Sequence, residues 1–163
     1  MKNLTPLFVL AFTLLLFSCG EDADEPTLVE KDVRIEIDFE GSADKYLITF
    51  GIHTLNRGIN GFVTPIITQP ANLQWTQIIP QANGYNLTSD GSIGNLIVTS
   101  DQPAHTVGFI FNATYKGGIP DTNFQVLKAS IRLFGNNTEV KRYNFQARPI
   151  GEVSVPISEV VRF

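Results

Sequence analysis

Val33-Arg34-Ile35-Glu36-Ile37-Asp38-Phe39-Glu40 alternates apolar and charged residues without a break. Successive side chains of an extended backbone point to opposite faces. The octapeptide therefore reads as a half-buried strand, with Val33, Ile35, Ile37 and Phe39 inward and four charged side chains outward. Gly41-Ser42-Ala43-Asp44 follows as a loop, and Tyr46, Ile48, Phe50 and Ile52 return with the same period, which predicts an antiparallel hairpin. The alternation recurs at Val107, Phe109, Phe111, Ala113 and Tyr115, and again at Leu127, Ala129, Ile131 and Leu133. Gly135-Asn136-Asn137 then reads as a turn of residues that accept positive φ, with Val140 to Ala147 returning from it. Weaker strands are expected at 62–67, 73–79, 85–87, 96–99 and 153–161.

No stretch of helical spacing carries start and stop signals. Short strands between Gly, Pro, Asn and Asp turns point to an all-β chain, a single antiparallel β-sandwich. Pro65 and Pro156 cannot donate to a ladder, so their strands belong at edges or bulges. The length, 163 residues, suits one domain and is enough to bury a core. Charged residues make up 17% of the chain, below the usual ~25%. The net charge of -4 and the lack of a Lys/Arg cluster argue against a nucleic-acid partner. One Cys in the whole chain excludes an internal disulfide and a Cys-cluster zinc site.

That Cys lies at the end of a segment unlike the rest. Lys2 gives a positive start, and Leu7 to Phe17 is apolar apart from Thr13. As a helix this stretch would span about 16 Å, against a hydrocarbon core of ~30 Å. It is too short to cross a bilayer and reads as the apolar region of a signal peptide. Leu16-Phe17-Ser18-Cys19, followed by Gly20, resembles the lipobox of bacterial lipoproteins, in the looser form of Bacteroidota. The resemblance implies cleavage between Ser18 and Cys19, a diacylglyceryl group on the Cys19 sulfur and acylation of its new amino group. It also implies attachment to the outer membrane, at the cell surface or on the periplasmic face. Glu21, Asp22, Asp24 and Glu25 repel one another and keep the next residues solvated. This acidic run resembles the surface-export signal of the same lipoproteins. The organisation expected is a leader at 1–18, the lipidated Cys and acidic linker at 19–27, and the sandwich at 28–163. The sandwich resembles an immunoglobulin-like module, without the Cys…Trp…Cys signature of antibody domains.

The catalytic inventory is thin. His53 and His105 are the only histidines, and each sits in or beside a strand pattern. Gly91-Ser92-Ile93-Gly94 has the wrong spacing for a nucleophile elbow, and no phosphate-cradling loop or zinc-protease motif occurs. Glu36, Asp38 and Glu40 form a flat row that cannot converge on calcium without help from loops; they read as a solvated, edge-protecting face. No catalysis, cofactor or metal is expected. The segment from Gln69 to Asn86 is less ordinary, with seven side-chain amides beside Trp75 and Tyr85. Amides donate and accept at once, and with aromatic faces they form the kit of sugar recognition. Trp75, Tyr85, Gln74 and Gln77 are the candidate ligand platform, although a lone Trp in a sandwich is more often a core residue. The function expected is a non-catalytic binding or adhesion module for glycan or protein. A structural subunit of an envelope assembly machine is the alternative. A small outer-membrane β-barrel is a third reading, weakened by Glu159 and Pro156 in the C-terminal strand.

Overall fold

The computed structural model describes residues 27–56, 61–79, 84–118, 123–148 and 152–163. Ser18, Cys19 and the acidic run lie outside them. Ten strands make up the fold: β1 (Val33–Glu40), β2 (Tyr46–Leu55), β3 (Pro65–Gln69), β4 (Gln77–Ile79), β5 (Gly84–Ser89), β6 (Asn95–Ser100), β7 (Thr106–Tyr115), β8 (Lys128–Gly135), β9 (Thr138–Gln146) and β10 (Ile157–Arg162). They form two five-stranded sheets, β3-β6-β1-β8-β9 and β10-β7-β2-β5-β4. Every strand pairing is antiparallel.

The alternating residues fill the space between the sheets. Ile35 and Ile37 of β1, Ile48 and Phe50 of β2, Phe111 of β7 and Ile131 and Leu133 of β8 are at most 1% exposed. Phe111 packs edge-on against Phe145 of the opposite sheet, with ring centroids 5.0 Å apart. Aromatic pairs of this geometry add to the area they bury.

The expected hairpin of β1 and β2 does not form. β1 pairs with β6 and β8, whereas β2 pairs with β5 and β7 in the other sheet. Residues 41–45 carry the chain across the end of the sandwich through Gly41, at φ 88°, and a short 3₁₀ turn. Both strands still aim their apolar sides at one core, from opposite layers. Of the connections between consecutive strands, β4 to β5 and β8 to β9 are the ones that stay within a sheet as neighbours. The second is the Asn136-Asn137 turn, where both residues have positive φ as expected. Pro65 opens the edge strand β3, which also carries a bulge between Ile67 and Gln69. Pro156 immediately precedes the edge strand β10. The predicted strand at 73–79 shrinks to β4, because residues 73–76 wrap around the open side of the sandwich instead.

That open side is tied across. The Trp75 indole N–H donates to the carbonyl of Pro65 in the first sheet at 2.9 Å. Its ring packs on Phe50 and Tyr85 of the second sheet, with centroids 6.3 and 5.7 Å away. On the opposite open side, between β9 and β10, the Glu159 carboxylate is near enough to the Tyr143 hydroxyl to raise its pKa. Tyr143 also stands edge-on to Phe109 at 5.4 Å.

The two outer faces differ in chemistry. The first sheet is charged: Arg132 of β8 bridges Glu36 and Asp38 of β1 at 2.8 Å each, and Arg34 holds Glu36 at 2.9 Å. The acidic row lies on an interior strand, and its Glu36 and Asp38 are engaged by arginines, so it does not protect an edge. The outer face of the second sheet carries Leu47, Thr49, Asn86, Thr88, Ile110 and Val160, and one charged side chain, Arg162, among the described strand residues.

Candidate binding cleft at the distal pole

Strand directions give the sandwich two unlike ends. At one pole the N-terminal segment is stitched to the C-terminus: the Val29 N–H donates to the Phe163 carbonyl, and Lys31 and Ala104 exchange both backbone bonds. Asn136 and Asp32 are bonded there as well. The chain that leads back toward Cys19 therefore leaves the domain at this pole. The loop residues 41–45, 90–94, 116–118 and 123–127 gather at the other, distal pole. Ser42 and Gln125 exchange two hydrogen bonds, the Lys116 N–H donates to the Lys45 carbonyl, and the Lys116 ammonium donates to the Asp90 carbonyl. Gly91, at φ 83°, lies so close to Ala43 that a Cβ would meet its carbonyl oxygen. No other residue fits there without moving the loops apart.

Beside these loops, where β3 ends and β5 turns into β6, is a cleft of about 480 Å³. This volume falls within the usual ~300–1,000 Å³ of small-molecule sites. Its polar wall consists of Gln69, Asn72, Thr88, Ser89, Asp90, Ser92 and Asn95, and Leu73 and Ile93 are the largest apolar side chains lining it. Gln69 Nε2 donates to Asn95 Oδ1 at 3.0 Å, which fixes the two amides relative to each other. Asp90 accepts from both the hydroxyl and the backbone N–H of Ser92, at 2.7 and 3.1 Å. Those bonds, with help from the Lys116 charge, hold the Asp90 carboxyl below its ordinary pKa, so it is ionised at neutral pH.

The candidate platform residues do not assemble as one surface. Trp75 is half-buried, and its ring and N–H are occupied by Phe50, Tyr85 and Pro65. Tyr85 is half-buried and faces the interior, opposite Ile52. Gln74 is exposed in the loop before β4, and Gln77 is exposed on the outer side of β4, paired with Asn86. Gln81 and Asn83 lie outside the described residues. The amides that do converge are Gln69 and Asn72 from the same segment and Asn95 from the start of β6. Asn95 and Ser92 were not legible as partners, since only the pairing of β3 with β6 brings them to Gln69.

The histidines are far from one another in role. His53 lies on the outer face of β2 across Gly108 of β7, where a Cβ would stand 2.0 Å from the ring. His105 precedes β7 and bonds the Thr106 hydroxyl at 2.8 Å.

No family model and no curated protein matches the chain. Solved structures of similar fold include a domain of unknown function, DUF4425, from Bacteroides vulgatus, at TM-score 0.56 and 10% identity over 82% of this chain and 97% of that one. A DUF4425 family protein from Bacteroides ovatus superposes at TM-score 0.55 with 11% identity, covering 82% of this chain and 94% of its own. The calcium-bound form of a protein from Parabacteroides distasonis gives TM-score 0.59 and 10% identity over 88% of this chain and the whole of that one. At such identities the likeness is one of fold, and the chain is a β-sandwich of the same architecture as these domains.

Proposed function

We propose that this chain is an outer-membrane lipoprotein, held by acyl chains on Cys19, whose immunoglobulin-like sandwich is a non-catalytic binding module for glycan or protein. The observation that carries the reading is the separation of the poles. The chain leads back to the lipobox from one end of the sandwich, and the loop cluster with its cleft occupies the other. A module hung from a membrane in this way presents its cleft away from the bilayer. Two or three acyl chains on one residue would make attachment effectively permanent. The connections that cross between sheets support the immunoglobulin-like type. The Bacteroides and Parabacteroides sources of the similar structures support the Bacteroidota style of the lipobox.

Calcium, present in one of those structures, suits this chain poorly. The ion takes six to eight oxygens, yet Glu36 and Asp38 are bound to arginines. No group of three His, Cys, Asp or Glu side chains able to hold a metal occurs among the described residues. The alternative, a structural subunit of an envelope machine, is favoured by the outer face of the second sheet, where Ile110, Leu47 and Val160 are exposed with almost no charge.

Membrane fractionation of cells expressing the full chain tests the proposal. Wild type should sediment with the outer membrane and resist alkaline and salt washes, while Cys19→Ala should appear as an unprocessed or mislocalised precursor. A Cys19→Ala protein that fractionates like wild type would refute the anchor. Co-purification of a stoichiometric envelope protein that is lost on Ile110→Asp would favour the structural alternative.

A further inference from the structure

We infer that the distal cleft is a recognition site for an uncharged, hydroxyl-rich ligand, a short stretch of neutral glycan; this rests on the binding-module reading and names its ligand class. Each polar group of the wall other than Asp90 is an amide or a hydroxyl, able to donate and accept. A sugar hydroxyl has the same dual character, so it pairs with such a wall in either sense. The bond from Gln69 Nε2 to Asn95 Oδ1 sets the orientation of both amides before a ligand arrives. It leaves the Asn95 amide nitrogen as a donor and the Gln69 carbonyl as an acceptor side by side. Leu73, half-buried, offers a small apolar surface for the C–H face of a pyranose, with the buried Ile93 beneath the cleft floor as part of the core.

Charge narrows the class further. Asp90 is ionised at neutral pH, and the nearby Lys116 ammonium is engaged by the Asp90 carbonyl and does not line the cleft, so uronic acids, sialic acids and phosphates find no cation in the wall to pair with. A peptide strand is disfavoured for a different reason. β3 is the sheet edge beside the cleft, but its bulge at Ile67/Gln69 and the missing N–H of Pro70 interrupt the ladder that strand addition needs. The Trp75 ring, engaged by Phe50 and Tyr85, adds no stacking face. Binding therefore rests on hydrogen bonds and a small aliphatic contact, without aromatic stacking, and falls in the ~mM range.

The test uses the full chain in detergent micelles and amide-resolved NMR, which observes the side-chain NH₂ groups directly. The probes are maltohexaose, cellohexaose, xylohexaose and mannohexaose, with oligogalacturonate as the anionic counterpart. At least one neutral hexaose should shift the side-chain resonances of Asn72 and Asn95 while leaving that of Gln146 in place. Asn72→Ala combined with Asn95→Ala should weaken that binding by at least about tenfold, or ~1.4 kcal/mol. Asn95→Asp keeps the side-chain shape but removes the donor, and should weaken binding without altering the rest of the spectrum. Silence of all four neutral sugars at about ten times a ~1 mM dissociation constant would overturn the inference. So would shifts confined to other residues, undiminished binding by the variants, or tighter binding of oligogalacturonate. Each of these results leaves acylation of Cys19 untouched, so the ligand class and the anchor fail separately.

Discussion

Trp75 shows how far a single residue can be read from its neighbours in sequence. Seven amides around it suggested a ligand platform, but the group that fixes its role, the Pro65 carbonyl, belongs to the opposite sheet. The cleft takes Gln69 and Asn72 from the amide-rich segment, while Gln74 and Gln77 do not line it. If Trp75 ties the sheets together, Trp75→Phe should keep the ring packing and lose the bond to Pro65. Denaturant unfolding should then show a loss of about 1 kcal/mol, the usual worth of one hydrogen bond. Trp75→Ala should cost about 3 kcal/mol, the low end for Trp truncation, since the ring is only half-buried. A negligible cost for both would mean that the ring is a free surface after all. Gly108 offers a second residue-scale check. A Cβ there meets the His53 ring, so Gly108→Ala should destabilise by about 1 kcal/mol, and adding His53→Ala should recover most of it. Simple additivity in that double-mutant cycle would show that the two residues do not touch.

At the scale of elements, periodicity announced the strands but not their partners. Val33 to Glu40 and Tyr46 to Ile52 each have one apolar face, and that is equally true of two strands in one sheet and of two strands facing across a core. The short loop between them favoured a hairpin, whereas Gly41 and the 3₁₀ turn take the chain across the end of the sandwich. The Asn136-Asn137 turn was legible because its local chemistry alone permits two successive positive φ angles. Edge placement was legible for β3 and β10 because proline removes a donor whatever the tertiary context. The approach of Glu159 of β10 to Tyr143 of β9 is testable through pH. Burial, then the Glu159 charge and hydrogen bond, raise the Tyr143 pKa above its ordinary value of 10.0. The folded state then keeps a proton that the unfolded chain gives up. Stability from this group is complete at neutral pH and falls as pH rises from about 10 through the raised folded value. Chemical denaturation of the wild type should show this alkaline decline, and Tyr143→Phe should lessen it, the buried Tyr46, whose pKa is raised too, supplying a decline of its own. An identical decline in the variant would place the alkaline sensitivity elsewhere.

Across the whole molecule, charge and connectivity separate three surfaces: a charged outer sheet, an almost uncharged outer sheet, and a distal pole of loops with a cleft. The antiparallel register sends the N-terminal segment to the opposite pole, where Val29 and Lys31 are sewn to Phe163 and Ala104. Under the proposed anchor, tension would act on a well-bonded end of the fold and not on the loops that line the cleft. The central claim is that this end is tied to a membrane through acylated Cys19. Metabolic labelling with an alkyne fatty acid, followed by capture of the full chain, tests it most directly. Wild type should carry the label and Cys19→Ala should carry none; equal label on both would contradict the account.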